Sequence, residues 1–131
     1  MTNPLLSIII PAFNEESRII NTLVIIENYM STMLFEWEVL IIDDGSTDNT
    51  KDILETWIKN RKHFKVNTVK HNGKGAAIKY GILNSYGKYQ FMCDADLSMP
   101  IEKISEFIKK MNEGHQIVIG SRQIMGSKRF N

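Results

Sequence analysis

The sequence lacks several features that would place a protein in a special class. It contains one cysteine, Cys93, among 131 residues, so a framework of intramolecular disulfides is impossible. Its longest apolar run, residues 5–10, is interrupted by Ser7 and is far shorter than the roughly 18 to 20 residues that span a bilayer. The N-terminus also lacks the basic and long apolar segments of a signal peptide. We therefore expect a cytoplasmic chain.

An excess of charge of either sign is missing as well. Lys and Arg number 16, Asp and Glu number 15, and the net charge is +1. Such a balance gives no overall field that would attract nucleic acid or an anionic membrane. We therefore expect no nucleic-acid partner, and any anionic ligand must be held by local groups. The 43% hydrophobic and 24% charged content is ordinary for one globular domain.

Short apolar segments alternate with segments of helical periodicity along the chain. The apolar segments predict strands at residues 5–10, 39–42, 64–69, 89–93 and 117–119. Pro11 is expected to end the first strand, and Asn14 is expected to cap the first helix, with Glu15 in its first turn. The third helix is expected to end near residues 86–87. The βαβαβαβαβ order predicts an α/β fold: a Rossmann-like, mostly parallel sheet of about five strands with helices on both faces.

Polar residues collect where the predicted strands end. These ends carry residues 11–15, 43–46, 71–75, 94–96 and 120–122. Because the carboxyl ends of parallel strands meet at one edge of the sheet, and because such sheets bind ligands there, these residues are expected to share one crevice. Carboxylates would then lie beside Lys74 and Arg122.

Asp94 and Asp96 form the strongest single motif at this edge. In extended chain, residues two apart point the same way. Two such carboxylates can hold Mg²⁺ or Mn²⁺, with phosphate oxygens completing the coordination shell. The alternative interpretation is ordinary turn chemistry before the helix that Pro100 begins.

Two other strand ends have both a ligand-binding and a structural interpretation. Asp43 could accept hydrogen bonds from a base or ribose, whereas Asp44 could close an Asx-turn. Lys74 stands between two glycines, which let backbone N–H groups approach a phosphate, although a plain turn with a solvated lysine has the same composition. Neither a Walker A loop nor a Gly-x-Gly-x-x-Gly after the first strand is present, which argues against a P-loop or dinucleotide fold.

Four segments together carry a family resemblance: residues 7–15 (SIIIPAFNE), 39–48 (VLIIDDGSTD), 72–77 (NGKGAA) and 94–97 (DADL). In this order they resemble the N-terminal half of family 2 glycosyltransferases, which have the glycosyltransferase A fold. The resemblance covers nearly the whole chain. Together with residues 120–122 (GSR), it is strongest to the polyprenyl-phosphate branch, the dolichyl-phosphate mannose synthases and dolichyl-phosphate glucosyltransferases.

The resemblance implies an enzyme that transfers a sugar, with inversion, from a UDP- or GDP-sugar to a lipid phosphate of the dolichyl type. Mg²⁺ or Mn²⁺ would be the cofactor, held by Asp94 and foremost by Asp96. Arg122 would face the acceptor phosphate or the diphosphate, and these three are the implied catalytic residues. The residues implied to bind the nucleotide are Pro11, Ala12, Asn14, Glu15, Asp43, Lys74, Asp94 and Ala95.

The family's catalytic domain extends beyond the length of this chain. Residues 1–131 are therefore expected to form a single nucleotide-sugar-binding domain, truncated at its C-terminus, that self-associates as a homo-oligomer. The full-length form would lie peripherally at a membrane. The alternatives are a non-catalytic nucleotide-sugar-binding module and a haloacid-dehalogenase-like phosphatase with Asp94 as its nucleophile, although in that phosphatase the Asp-x-Asp motif follows the first strand.

Overall fold

The computed structural model of the protein describes residues 3–96 and 101–114. Within these residues strands and helices alternate as the sequence predicts. In chain order they are β1 (Leu6–Ala12), α1 (Ile19–Met30), β2 (Trp37–Asp43), α2 (Thr50–Trp57), β3 (Phe64–Thr68), α3 (Lys74–Leu83), β4 (Tyr89–Met92) and α4 (Ile101–Asn112). The described part thus has four strands rather than five, and the fifth predicted strand, at residues 117–119, lies outside it.

The four strands form one parallel sheet in the order β3-β2-β1-β4. β1 pairs with β2 along its whole length, from Leu6 to Ala12, but with β4 only from Leu6 to Ile9. The chain therefore builds the sheet outward from β1 in one direction and then crosses back to place β4 on the other side. This reversal creates a topological switch point between β1 and β4, which is where open α/β sheets bind ligands.

Helices cover both faces of the sheet. Residues of α1, α2 and α4 share the larger core with one face of β1 and β2, which includes Ile8 and Ile41. α3 packs on the other face, where Ala77 meets Ile9 and two β2 residues. α3 can approach this closely because residue 81 is glycine: a Cβ there would lie 2.5 Å from Cγ2 of Ile9. Two-sided burial is confirmed for β1 and β2, in which every residue is buried, whereas β3 and β4, at the two edges of the described sheet, are only partly buried.

Pro11 lies inside β1 and does not end it, so the predicted end of that strand is wrong. The carbonyl of Ile9 accepts the N–H of Cys93, and the carbonyl of Ala12 accepts the N–H of Asp44. Since successive residues of a strand face alternate neighbours, the nitrogen of Pro11 faces the β4 side. The β4 ladder has already ended at Ile9, so the missing N–H removes no hydrogen bond from the ladder.

Two helix boundaries also differ from the prediction. α1 begins at Ile19 rather than directly after Asn14, and Asn14 has a left-handed backbone with φ of 54°. Asn14 is therefore not the helix cap, and Glu15 lies before the helix rather than in its first turn. α3 ends at Leu83, ahead of the predicted end. In both places hydrogen bonds to distant segments, rather than local helix signals, fix the chain.

At the amino edge of the sheet, a buried polar cluster holds the connection between α3 and β4. Glu38 is 6% exposed and accepts hydrogen bonds from the Ser7 hydroxyl at 2.6 Å and the Tyr86 N–H at 2.7 Å. The Gly87 N–H donates to Ser7 Oγ at 2.8 Å. These bonds satisfy the buried carboxylate and fix the entry of β4 beside β1. No helix in the described residues is long and apolar enough to cross a membrane.

Candidate functional site at the switch point

A cavity of about 380 Å³ lies at the carboxyl edge of the sheet, beside the switch point. Small-molecule sites have volumes of about 300 to 1,000 Å³. The cavity is lined by residues that follow all four strands: Pro11, Ala12, Phe13, Glu15, Asp44, His71, Gly73, Lys74, Asp94, Ala95 and Asp96.

Most of the sequence-predicted site residues meet in this cavity. It brings together the following members of that set: Pro11, Ala12, Glu15, Lys74, Asp94, Ala95 and Asp96. Asn14 and Asp43 are not among the described lining residues: Asp43 ends β2, and Asn14 lies in the loop after β1. Arg122 lies outside the residues that the structure describes. The cavity also includes Phe13 and His71, which the sequence places at strand ends in the expected crevice but to which it assigns no role in the site.

Two carboxylates and Lys74 line the end of the cavity next to β4, and the Arg18 guanidinium lies beside it. Lys74 Nζ lies 2.6 Å from Asp94 Oδ1, and Arg18 reaches Asp96 with a separation of 3.9 Å. Arg18 also binds Glu15 Oε1 through Nε at 2.9 Å. All of these pairs are partly exposed, so each contributes little to stability. Their value is local: this end of the cavity presents both anionic and cationic groups to a ligand.

The turn that carries Asp94 and Asp96 is fixed by a hydrogen bond from α1. The hydroxyl of Thr22 on α1 donates a 2.6 Å hydrogen bond to the carbonyl of Ala95. Ala95 is itself 5% exposed, so the residue between the two carboxylates is anchored in the core. This anchoring holds the two acidic side chains at the rim of the cavity.

The donor set fits a hard divalent cation that arrives with phosphate. Mg²⁺ is commonly bound through one or two carboxylates plus phosphate oxygens and water. Within residues 3–96 and 101–114, no group of three His, Cys, Asp or Glu side chains is arranged to hold a metal ion. A metal here would therefore be held by Asp94 and Asp96, with the ligand supplying the other oxygens.

Asp43 and Asp44 are both buried and both close turns. Asp43 is 1% exposed and accepts hydrogen bonds from the Ser46 N–H at 3.2 Å and the Ser46 hydroxyl at 2.5 Å. Asp44 is 3% exposed and accepts the N–H groups of Asn72 at 2.9 Å and Gly73 at 3.1 Å. Asp44 therefore fixes the loop that precedes α3. A base-binding role for Asp43 stays a prediction.

Asn14 ties two loops together instead of capping a helix. Its Oδ1 accepts the N–H groups of Thr47 at 2.8 Å and Asp48 at 3.2 Å, and its own N–H donates to Ser46 Oγ at 2.9 Å. These bonds join the loop after β1 to the loop after β2. Asn14 thus fixes the loop that carries Phe13 and Glu15, two residues that line the cavity.

Asp48 continues this junction between the two loops. Burial is the largest single influence on its pKa and would raise it. Hydrogen bonds from the hydroxyl and N–H of Thr50 and from the N–H of Glu16 together outweigh burial and hold the pKa of Asp48 below its ordinary value. The junction therefore favours the ionised form of Asp48.

Phe13 and His71 form the other end of the cavity. Their rings stack with centroids 4.3 Å apart and planes 26° from parallel. His71 Nδ1 lies 3.0 Å from both the carbonyl oxygen and the Oδ2 of Asp44. The only sequence signal for His71 is its position directly before the Asn-Gly-Lys-Gly segment, and the side-chain direction that makes it part of the site is a tertiary feature.

Cys93 is a core residue, as the sequence indicates. It is 1% exposed. Burial, with the negative charges of Asp94 and Asp96 as secondary causes, raises the pKa of the Cys93 thiol to about 12. The thiol is therefore neutral near pH 7 and is not a nucleophile in this site.

The sheet order and the switch-point cavity with its paired carboxylates define the class of protein: an open α/β domain with a ligand-sized cavity at its switch point. The comparison with known families then identifies it further. Residues 7–131 match the family described as Glycosyl transferase family 2, and the chain belongs to that family. Membership excludes the phosphatase interpretation.

Similar proteins agree with this assignment. A dolichyl-phosphate beta-glucosyltransferase of Dictyostelium discoideum is 37% identical over 134 residues, which cover 92% of this chain and 40% of that protein. The structure of S. aureus TarS 1-349 in complex with UDP-GlcNAc is 26% identical, with a TM-score of 0.60, over 82% of this chain and 32% of TarS. The mannosyltransferase PcManGT from Pyrobaculum calidifontis, in complex with GDP-Man and Mn2+, is 22% identical with a TM-score of 0.63, over 83% of this chain and 32% of that chain.

These neighbours confirm the predicted fold class, the glycosyltransferase A fold with its mostly parallel sheet. At 22% identity the likeness to the mannosyltransferase is a likeness of fold. The chain spans about 40% of the length of the curated relatives that it matches.

Proposed function

We propose that this chain provides the donor-binding part of a glycosyltransferase. In this proposal, the enzyme transfers a sugar from a nucleoside diphosphate, with a divalent metal, to a lipid phosphate of the dolichyl type. The observation that carries the proposal is the cavity at the switch point, where Asp94 and Asp96 lie beside Lys74 and Arg18. Support for the acceptor comes from the relatives, which include a dolichyl-phosphate beta-glucosyltransferase.

The mixed charge at the β4 end suits a diphosphate. Lys74 and Arg18 supply positive charge beside the carboxylates of Asp94, Asp96 and Glu15, and a divalent cation would be needed to balance the remaining carboxylate and a diphosphate. A bound Mg²⁺ or Mn²⁺ would neutralise the charge that builds on the leaving diphosphate. Glu15 holds Arg18 in place through the 2.9 Å contact to Nε.

The reaction in this proposal is a single displacement. An oxygen of the acceptor phosphate bonds to the anomeric carbon while the bond from that carbon to the diphosphate oxygen breaks, which inverts the configuration and releases a nucleoside diphosphate. The acceptor phosphate is already anionic near pH 7, so no strong general base is required. Because a dolichyl-type acceptor is a lipid, the proposal also places the protein at the cytoplasmic surface of a membrane.

The nucleotide class is a uridine or guanosine diphosphate. The TarS structure contains UDP-GlcNAc, which supports a uridine nucleotide. The family resemblance implies that the nucleotide pocket is lined by Pro11, Ala12, Asn14, Glu15 and Asp43, and these roles remain predictions.

Calorimetry with UDP and GDP, each in Mn²⁺ and in EDTA, tests the proposal. We expect one of the two to bind at least about tenfold more tightly with Mn²⁺, a difference of about 1.4 kcal/mol. Asp96→Asn should abolish the metal effect while thermal unfolding stays unchanged, because the side chain lies at the rim. Glu106→Gln, which changes an exposed carboxylate on α4, is the matched control and should behave as the parent.

Equal affinity in Mn²⁺ and EDTA for both nucleotides would contradict the donor site. Transfer is tested separately, with a labelled nucleotide sugar, Mn²⁺ and a short polyprenyl phosphate, by looking for the sugar-linked lipid. Metal-dependent nucleotide binding without transfer by the whole protein would favour the non-catalytic binding module.

A further inference from the structure

We propose that His71 recognises the nucleoside: its Nε2 accepts a hydrogen bond from an N–H or O–H group on the base or ribose of the donor. This inference rests on the proposed function, because it takes the ligand to be a nucleoside diphosphate. It adds a binding residue that the family resemblance did not supply.

The contacts of His71 fix which ring nitrogen carries the proton. Nδ1 lies 3.0 Å from the carbonyl oxygen of Asp44 and 3.0 Å from its Oδ2. Both of these atoms are acceptors, so Nδ1 must be the donor. In the neutral ring Nε2 is then left with its lone pair, ready to accept a hydrogen bond. In the described part of the chain, Nε2 has no hydrogen-bond partner.

The ring is held rigidly from three directions. Asp44, which orients Nδ1, is buried and is fixed in turn by the N–H groups of Asn72 and Gly73. The backbone of His71 packs tightly on Gly45: a Cβ added at Gly45 would lie 2.7 Å from the backbone nitrogen of His71. The stacked ring of Phe13 limits rotation of the imidazole. Such preorganisation lowers the ordering cost when a ligand binds.

The position of His71 in the sheet favours the nucleoside over the phosphates. His71 follows β3. Asp94 and Asp96 follow β4, which lies at the opposite end of the strand order, and Lys74 reaches towards them to contact Asp94. A diphosphate bound beside Lys74 would direct the nucleoside towards the β2 and β3 ends. Phosphate oxygens are also acceptors, so they cannot donate to Nε2, whereas uracil N–H, guanine N–H and ribose O–H groups can.

The chain contains a matched control for this histidine. His63 also stacks on an aromatic ring, that of Trp37, with centroids 3.9 Å apart. Its Nδ1 also contacts a backbone carbonyl, the Trp37 oxygen at 2.9 Å. His63 precedes β3 and therefore lies at the amino edge of the sheet, away from the cavity.

The experiment measures nucleotide affinity in Mn²⁺ for the parent, His71→Phe, His71→Gln and His63→Phe. The ligands are the preferred diphosphate, its 2′-deoxy analogue, its base-N-methylated analogue and pyrophosphate. We expect His71→Phe to weaken binding of the full nucleotide about tenfold, as loss of one hydrogen bond in a preformed site does. His71→Gln should retain more affinity because its amide oxygen can replace Nε2, and His63→Phe should match the parent.

The analogues show which group donates to Nε2. The effect of His71→Phe should vanish for one analogue: the 2′-deoxy form if the ribose donates, or the N-methylated form if the base does. The inference is overturned if His71→Phe binds the nucleotide within twofold of the parent, or if it weakens pyrophosphate equally. If the parent binds no nucleoside diphosphate at all, the proposed function itself fails. Thermal unfolding of each variant separates loss of contact from loss of fold.

Discussion

The carboxylate of Asp44 offers the sharpest test of how this site is built. Asp44 is 3% exposed and accepts two backbone N–H groups, from Asn72 and Gly73, besides contacting His71. Hydrogen bonds to a charged group contribute about 1.5 to 3 kcal/mol each. Since the loop itself is partly exposed, water can reach the freed N–H groups, and the lower end of that range applies. We expect Asp44→Ala to lower the free energy of unfolding by about 3 kcal/mol, the sum of two such bonds at about 1.5 kcal/mol each.

Urea unfolding followed by circular dichroism measures this loss. Asp44→Asn keeps one side-chain oxygen as an acceptor and should lose about half as much. Glu55→Ala removes an exposed carboxylate from α2 and should change the stability by no more than about 0.5 kcal/mol. If Asp44→Ala were as stable as Glu55→Ala, the hydrogen bonds to the loop before α3 would not be holding it, and our account of the rigid His71 would be wrong.

Three further outcomes are expected. Because the pKa of Asp48 is lowered in the fold, its contribution to stability is present above the ordinary carboxyl pKa of 3.8 and is lost as the pH falls through the lowered value. Calorimetry in acid should therefore show a smaller decline in the free energy of unfolding for Asp48→Asn than for the parent. Equal declines would contradict this. Cys93, whose pKa is raised to about 12, should resist a thiol reagent near pH 8 until urea unfolds the chain, so immediate labelling of the native protein would refute its burial. Gly81→Ala should lower the free energy of unfolding by about 1 to 3 kcal/mol through overpacking against β1. At Gly75 an added Cβ meets no atom within 4 Å, so Gly75→Ala should not destabilise the fold by this route. Equal urea midpoints for the two variants would count against the close packing of α3.

β1 and β2 were predictable because every residue of each is buried, so that each reads as a nearly continuous apolar run. β3 and β4 are only partly buried and mix apolar with polar residues. The local boundary signals were less reliable. A proline ordinarily ends a strand, but Pro11 continues β1 because its nitrogen faces a place where the neighbouring ladder has stopped. Asn14 has the composition of a helix cap, but its amide is used by the N–H groups of Thr47 and Asp48. Both outcomes depend on a neighbouring element that the local sequence does not specify.

The cavity was partly predictable for a related reason. Parallel strands bring their carboxyl ends together, so Asp94, Asp96 and Lys74 could be placed at one edge from the order of elements alone. The contact of Arg18 with Asp96 could not be predicted, because it depends on side-chain direction across loops, and for the same reason no role could be assigned to His71. The division of roles between Asp43 and Asp44 likewise depends on which N–H groups approach each carboxylate. The N–H group that reaches Asp43 lies 3 residues away in the chain, and those that reach Asp44 lie 28 and 29 residues away.

The proline inside β1 has a consequence for how the cavity accepts a ligand. A strand normally offers an amide proton at every residue, so an unpaired stretch beside a neighbouring strand can extend the pairing by one more backbone hydrogen bond. Pro11 has no such proton on the side that faces β4, so a further hydrogen bond at this residue is excluded by covalent structure rather than by side chains that can rotate away. A ligand that enters at this end of β1 therefore meets no backbone hydrogen bond between Pro11 and β4, because the pairing of the two strands stops at Ile9.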